Sequence, residues 1–495
     1  MQNDPLSAHE PNSIALIESD RSVSYGELAE LVAETAGGLR SAGVAAGDRV
    51  AVLGANDIAF VTGLLATQFI GAVACPLDSR NPNAVINERF QAIGPKALVA
   101  SPAAAEAATA VADEGLIDSS RVGTVAGNPS DHLAPLTAGE PGPPADVSGS
   151  DAAVILHTSG IVGAPRAAVL TNQNLIAAQQ RIIQVGPGLT SVDVALAVLP
   201  FAHVLGLNMC LLPSLRVGAT VVLQTTWDTD IALELTARHQ ISHVVGVPPM
   251  WAALAAAAED SASSREAMGT VTFARTGASA LHPSVASGVY DVFGLELAQG
   301  YGLTETGGTV TFELAARGHP GSVGQPLPDV ELKFVEDGRE VEQGDRGEVW
   351  IRTGSVFEGY LNDAAATAEV LISEGWCRTG DVGIQDDDGT LYLVGRSKDL
   401  INVSGFNVYP AEVEEVLETH PTIHEAVVVG EAHDVTGERV IAYVTANAGA
   451  AVDTDSIVGH CRDRLSRYKV PTSIHVVDRL PLTATGKRVR SELRQ

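Results

Sequence analysis

Val154-Ile155-Leu156-His157-Thr158-Ser159-Gly160-Ile161-Val162-Gly163-Ala164-Pro165-Arg166 decides how this chain is read, because an apolar strand runs straight into glycines, hydroxyls and a cation. Glycine lets backbone N–H groups approach phosphate oxygens closely, Thr158 and Ser159 can donate further hydrogen bonds, and Arg166 can offset charge. The loop is not the GxxxxGK(S/T) pattern, and a plain surface turn has a similar composition. Its meaning therefore rests on the rest of the chain.

Working outward, strand and helix signals alternate. Ser24 and Glu27 have capping-box spacing, and Leu28, Leu31, Val32, Ala36 and Leu39 recur at helical intervals until Gly43 offers a stop. Arg49-Val50-Ala51-Val52-Leu53 reads as a short buried strand, residues 58–70 as a second helix, and Val73-Ala74-Cys75 as another strand. Beyond the glycine loop, Thr220-Val221-Val222-Leu223 and His243-Val244-Val245-Gly246-Val247 repeat the strand signal. The alternation predicts an α/β architecture. Residues 101–150 shift to Ala, Gly, Ser and Pro, so a surface connection without regular elements is expected there.

At 495 residues the chain is too long for one simple core. Its 31 Lys and Arg stand against 60 Asp and Glu, and a net charge of −29 repels a phosphate backbone, which excludes nucleic acid and anionic membranes as expected partners. Cys75, Cys210, Cys377 and Cys461 fall in no CxxC or Cys/His spacing and read as buried thiols in a reducing compartment. No basic leader and no long apolar run occurs, so no integral membrane contact and a cytoplasmic location are expected. The oligomeric state is left open, a homo-oligomer included.

Read together with Pro200-Phe201-Ala202-His203, Tyr301-Gly302-Leu303-Thr304-Glu305, Gly375-Trp376-Cys377-Arg378-Thr379-Gly380-Asp381, Gly395-Arg396-Ser397-Lys398-Asp399, Gly405-Phe406-Asn407-Val408-Tyr409-Pro410 and Thr485-Gly486-Lys487, the loop takes on a definite identity. In this order the segments make the chain resemble the adenylate-forming superfamily of acyl-CoA synthetases, adenylation domains and firefly luciferases. The resemblance spans nearly the whole chain. It implies a large multi-sheet α/β N-terminal AMP-binding domain, residues 1–396, and a small mobile α+β C-terminal lid, residues 397–495.

It also implies roles. Joining a carboxylate to ATP brings two anions together, so cations and oriented donors are needed where charge builds on the α-phosphate. By resemblance, Thr158, Ser159, Gly160, Gly163 and Arg166 cradle phosphates, Gly277 and Ala278 border the nucleotide, and Tyr301 stacks on adenine. Thr304 bonds the α-phosphate, Glu305 holds Mg²⁺, Asp381 accepts the ribose hydroxyls and Arg396 sits beside them. Lys487 would bridge carboxylate and α-phosphate, Lys398 would be the hinge, Gly405 would line the coenzyme A channel, and His203 would stand beside the acid. The expected ligands are ATP, Mg²⁺, coenzyme A and a small-molecule carboxylic acid.

Two departures stand out. Most relatives carry hydroxyl residues at the positions of Ile161 and Val162, and a Lys-Gly pair at Arg166-Ala167. The cradle loses two donors, which keeps open an impaired homologue that only binds nucleotide or acyl-adenylate; an enzyme that loads a separate carrier protein is open too. The acid pocket would draw on residues 244–251, 276–280 and 307–310, with Gly246, Arg275 and Gly307 as candidates besides His203. Arg275-Thr276-Gly277-Ala278-Ser279-Ala280-Leu281 is similar to the Arg-Ser-Cys-Ser-Ala-Ser-Leu of oxalyl-CoA synthetases. Short dicarboxylate, slender acyl chain and aromatic acid all stay open.

Overall fold

Arg49–Gly54 and Val73–Asp78 are buried along nearly their whole length, as parallel strands covered on both faces must be. In this computed structural model the described residues are 6, 8–125, 139–140, 142–158, 166–259, 261–404, 406–433, 436–481 and 489–493. The two strands lie inside a sheet ordered Gly359–Tyr360, Ala167–Thr171, Ala152–His157, Val73–Asp78, Arg49–Gly54, Ala97–Ala100 and Val122–Gly123. Pairing is antiparallel on either side of Ala167–Thr171 and parallel elsewhere.

A larger sheet runs Gln325–Pro326, Gly308–Glu313, Leu297–Leu303, Phe273–Thr276, His243–Gly246, Val194–Ala197, Thr220–Leu223, Ile14–Glu18 and Arg21–Ser24. It is parallel from Leu297–Leu303 to Ile14–Glu18 and antiparallel outside that range. The helices Tyr25–Ser41 and Ile58–Phe69 share one core with both sheets, in which Leu28, Leu39 and Leu64 join Leu16 and Val221 of the larger sheet and Val52 and Leu156 of the smaller. The Ser24–Glu27 capping box forms as the spacing predicts. Ile58–Phe69 is apolar almost all round and is correspondingly buried, with Asp57 capping its first turn through the Phe60 N–H.

Asn56 joins the two sheets. Its Nδ2 donates to the carbonyls of Ala197 and Leu199 at 3.1 and 2.9 Å, and its Oδ1 accepts from the Phe201 N–H at 3.2 Å. The side chain is wholly buried, so the Leu199 carbonyl and the Phe201 N–H depend on it, while the Ala197 carbonyl also accepts from the Gln224 N–H at 3.1 Å.

An antiparallel sheet follows, ordered Arg339–Glu340, Glu331–Glu336, Gly347–Arg352, Cys377–Gln385 and Leu391–Arg396. The last sheet is drawn from later residues: Phe406–Val408, Ile401–Val403, Gly437–Ala446 and Ile423–His433, with Ser473–Val476 parallel to Gly437–Ala446. The chain is therefore a mixed α/β protein with a large N-terminal part and a small C-terminal one.

The expectation for residues 101–150 needs correction. Helix Ala105–Asp113 and the short strand Val122–Gly123 lie inside that span. Ala is the best helix former, and Ala105, Ala108 and Val111 face the core at helical intervals without any large side chain to announce them. All four cysteines are buried and free. Among the described residues no helix is long and apolar enough to cross a membrane.

Asn56→Leu should destabilise the protein by about 2 kcal/mol, roughly 1 for each of two stranded backbone groups. A urea titration followed by circular dichroism should show the first transition at lower denaturant; an unchanged midpoint means that water replaces the amide.

Candidate active site

Strand Leu297–Leu303 ends in the single turn Thr304–Thr306 and reverses into Gly308–Glu313. Thr306 builds the reversal: its Oγ1 accepts from the Leu303 N–H at 2.9 Å and lies 2.8 Å from the Gly308 carbonyl. Gly307 and Gly308 take φ of +68° and +125°, which a side chain would resist. The turn leaves Thr304 and Glu305 on the cleft wall, half-buried.

Glu305 is fixed from a distant part of the chain. The Tyr360 hydroxyl donates to its Oε1 at 2.6 Å, and its carbonyl accepts from the Phe357 N–H at 2.9 Å. Burial, then the Glu305 charge, push the Tyr360 phenol above its ordinary range, so it remains a donor. Tyr360 pairs with Ala168 across the sheet edge, and its ring lies 5.2 Å from the Arg166 guanidinium carbon. Thr158 and Arg166 close the base of the glycine loop: the Thr158 N–H donates to the Arg166 carbonyl at 2.8 Å, and the Arg166 N–H to Thr158 Oγ1 at 3.1 Å. Ser159, Gly160 and Gly163 lie outside the described residues, as do Gly405 and Lys487.

Asp381 is the second fixed carboxylate. Its Oδ2 accepts from the Tyr301 hydroxyl at 2.7 Å and its Oδ1 pairs with Arg396 Nε at 2.8 Å. Thr379 Oγ1 takes the Asp381 N–H at 3.0 Å, and Gly380 turns between them at φ +71°. Burial and then the Asp381 charge raise the Tyr301 phenol well above its ordinary range, while Asp381 raises Arg396 against the opposing effect of burial.

Thr158, Arg166, Thr304, Glu305, Tyr360, Thr379, Gly380 and Arg396 border one cleft of about 530 Å³. Its lining contains four cations, Arg166, Arg378, Arg396 and Lys398, against three carboxylates, Glu305, Glu348 and Glu369. Arg378 pairs with Glu348 and Arg396 with Asp381, so the lining is nearly balanced in a chain of charge −29, and an anion meets less repulsion here than over the chain as a whole. Another part of the wall is apolar or small: Val204, Leu205, Met209, Ala278, Gly300, Gly302 and Gly308. Ala278 sits at φ +69°, a conformation that residues other than glycine rarely adopt, and Gly277 leaves room behind it, since a Cβ there would meet the Gly300 carbonyl at 3.1 Å.

Thr158, Arg166, Ala278, Thr304, Glu305, Arg396 and Lys398 thus share the cleft wall, with Tyr301 and Asp381 directly behind it. Other candidates stand off the wall. His203 precedes Val204 and acts electrostatically on Asp78 and His157. Gly246 lies under the Trp251 indole, and Gly307 offers its carbonyl to Asn208 at 2.8 Å. Arg275 is buried beneath Met209. Sequence reading missed Tyr360, 55 residues from Glu305, because no local pattern signals a contact made by strand pairing. It missed Met209 for another reason, the π-helical turn Leu207–Leu211 within a run that is apolar but for Asn208.

The model of the AMP-binding enzyme family matches residues 6–361, and that of the AMP-binding enzyme C-terminal domain residues 412–487. The chain belongs to the AMP-binding enzyme family. It is 34% identical over 488 residues to a feruloyl-CoA synthase of Amycolatopsis sp., covering 98% of this chain and 96% of that one. It is 31% identical to 4-coumarate–CoA ligase 3 of Oryza sativa subsp. japonica, over 96% of this chain and 88% of the relative. The crystal structure of ATP-bound MatB from Rhodopseudomonas palustris superposes with a TM-score of 0.90 at 27% identity, over 100% of this chain and 98% of that one. The chain is an AMP-forming acid–CoA ligase.

Tyr360→Phe removes the bond that orients Glu305. The ligase should lose about tenfold in kcat/KM for ATP, since a hydrogen bond to a charged group contributes about 1.5–3 kcal/mol. Pyrophosphate release at varied ATP checks this; an unchanged value means Glu305 holds its orientation without the phenol.

Proposed function

We propose that this ligase works in two steps through an acyl-adenylate. The carboxylate of a small acid attacks the α-phosphorus of ATP and pyrophosphate leaves; the coenzyme A thiol then attacks the acyl carbonyl and AMP leaves. One observation carries the reading: a single cleft is lined both by guanidinium and ammonium groups able to meet a polyphosphate and by small or apolar residues able to meet an acyl group. The relatives' names, each a ligase of an acid to CoA, support the acceptor.

Within this reading Thr158, Arg166 and the intervening loop, with Ser159, Gly160 and Gly163, take the β- and γ-phosphates, and Thr304 donates to the α-phosphate. Arg166 provides a charge where relatives carry lysine, so loss of the hydroxyls at Ile161 and Val162 weakens the cradle without emptying it. Tyr301 faces the adenine, and Asp381 accepts from the ribose by exchanging a bond now made to Tyr301 or Arg396. The acid lies against Val204, Leu205, Met209 and Gly300. Lys487 neutralises the two anions as they meet, and the lid, residues 397–495, turns about Lys398 to bring Gly405 to the cleft for the thiol step.

Mg²⁺ fits the donor set. Glu305 gives one oxygen to Tyr360, and its other oxygen takes no hydrogen bond from a described residue. Among the described residues no group of three or more acidic, histidine or cysteine side chains forms a cage. One carboxylate completed by phosphate oxygens and water is how Mg²⁺ is usually held. Bound there, it would offset charge on the phosphates as pyrophosphate departs.

Lys487→Ala should slow pyrophosphate release by about 10²–10³-fold, the usual effect of removing a group aimed at transition-state charge. Thioester formation from supplied acyl-AMP should largely survive; equal damage to both half-reactions removes Lys487 from the adenylation step. Asp381→Ala should raise KM for ATP and also slow the AMP-dependent step, since a ribose contact serves both. Nucleotide binding by calorimetry at wild-type affinity would refute the ribose contact. A protein that binds ATP and acid but never releases pyrophosphate would be the impaired homologue instead.

A further inference from the structure

The cleft takes its two polar parts from different sheets: the glycine loop follows Ala152–His157 of the smaller, and the turn Thr304–Thr306 follows Leu297–Leu303 of the larger. Helix Asn172–Gln184, which continues from the glycine loop through Ala167–Thr171, reaches that turn by two buried relays. In the first, Arg216 Nε donates to Gln179 Oε1 at 2.5 Å, Gln179 Nε2 to Asn208 Oδ1 at 2.7 Å, and Asn208 Nδ2 to the Gly307 carbonyl at 2.8 Å. In the second, Arg181 Nη2 donates to Ser355 Oγ at 2.5 Å, and Ser355 Oγ to the Thr306 carbonyl at 2.7 Å. Gln179, Asn208, Arg181 and Ser355 are all buried. Arg181 is anchored in turn by Asp329 at 3.0 Å and by Thr353 at 2.8 Å.

A guanidinium only donates and a carbonyl only accepts, so each relay runs one way. With Arg216 on its oxygen, Gln179 must turn its amide nitrogen to Asn208, and Asn208 its own to Gly307; with Arg181 on its oxygen, the single Ser355 hydrogen goes to Thr306. A satisfied buried chain of this kind is polarised from its charged end and rigidifies what it holds. The turn is gripped at successive carbonyls. That of Thr304 accepts from the Gly307 N–H at 3.0 Å, that of Glu305 from the Phe357 N–H at 2.9 Å, and those of Thr306 and Gly307 from the relays. Space is closed as well, since a Cβ on Gly307 would meet the Ser355 carbonyl at 3.0 Å and the Asn174 carbonyl at 3.5 Å. Arg216, Gln179, Asn208, Arg181 and Ser355 are not among the described residues that line the cleft, so they act on the reaction only through the turn. Taking Glu305 as the Mg²⁺ carboxylate of the two-step reading, on which this inference rests, we propose that Ser355 and Asn208 are positioning residues that hold Glu305 in register with the glycine loop, with Arg181 and the Gln179–Arg216 pair fixing them from behind. The helix that leaves the glycine loop thereby sets the distance between the phosphates and the carboxylate that serves them.

The test uses the full-length enzyme with whichever of butyrate, hexanoate, succinate and cinnamate releases pyrophosphate fastest. Ser355→Ala should lower kcat/KM for ATP about tenfold and raise the Mg²⁺ concentration for half-maximal rate, while thioester formation from the supplied acyl-AMP stays within about twofold of wild type. By calorimetry Mg²⁺ should tighten ATP binding to the wild type, and Ser355→Ala should cut that gain at least about threefold while AMP binds unchanged. Arg216→Met should shift the same quantities in the same direction, and Arg216→Lys, which still donates to Gln179, should recover them. Equal losses in the two half-reactions, or a Mg²⁺ demand and ATP binding unmoved by Ser355→Ala, overturn the proposal and leave the relays as supports of the fold alone. Should Ser355→Ala fail to fold by circular dichroism, Arg216→Met against Arg216→Lys decides, and identical behaviour of the two overturns it. Absence of pyrophosphate with every acid counts against the two-step reading and not against the relays, which the calorimetric arm then decides alone: a Mg²⁺-dependent gain that Ser355→Ala cuts sustains them, and a gain it leaves intact, or no gain, overturns them.

Discussion

The Asp381 carboxylate is where the larger sheet, the antiparallel sheet and the entry to the C-terminal part meet. Tyr301 reaches it from the larger sheet, Asp381 itself lies on Cys377–Gln385, and Arg396 is the last residue of its strand before the turn Ser397–Asp399. A carboxylate only 6% exposed needs compensation, which one phenol and one guanidinium provide. Any ligand that competes for this carboxylate perturbs the same three regions. On the proposed reading, in which the ribose takes this carboxylate, nucleotide binding and the position of the C-terminal part are coupled through a shared acceptor, without a chain of intermediaries.

Beneath this lies a simpler dependence. The cleft exists because two sheets with different strand orders share one core, and Asn56 sets how the chain leaves Val194–Ala197 toward Val204 and Leu205. The polar wall comes from turns at strand ends, the apolar wall from the π-helical turn and the glycines opposite it. Rigid strands hold the first, and a pliant thioether occupies the second.

Much of this was legible in the sequence where local rules suffice. The Ser24–Glu27 box, the apolar helix Ile58–Phe69 and the strand Thr220–Leu223 each follow from a pattern within a dozen residues. Helix Ala105–Asp113 escaped because alanine and glycine richness resembles a linker when no bulky residue marks the buried face. In the cleft, Thr304, Glu305 and Arg396 could be named from motifs, whereas Tyr360 beside Glu305 depends on pairing between Gly359–Tyr360 and Ala167–Thr171. Arg275 was visible as a residue, but that no carboxylate among the described residues pairs with it is a statement about its neighbours in space, which no reading of adjacent letters supplies.

The buried cysteines acquire a meaning once the acceptor is coenzyme A. A protein that repeatedly holds a thiol, and meets its disulfide forms, risks mixed disulfides wherever it exposes a thiolate. Burial raises Cys75 to about 12 and Cys210 and Cys461 to about 11, and raises Cys377 as well. None of the four is positioned or ionised to exchange with a sulfur in the cleft. The enzyme can thus handle a reactive thiol while remaining chemically silent toward it, so that the one sulfur able to attack a carbonyl is the one that arrives with the substrate.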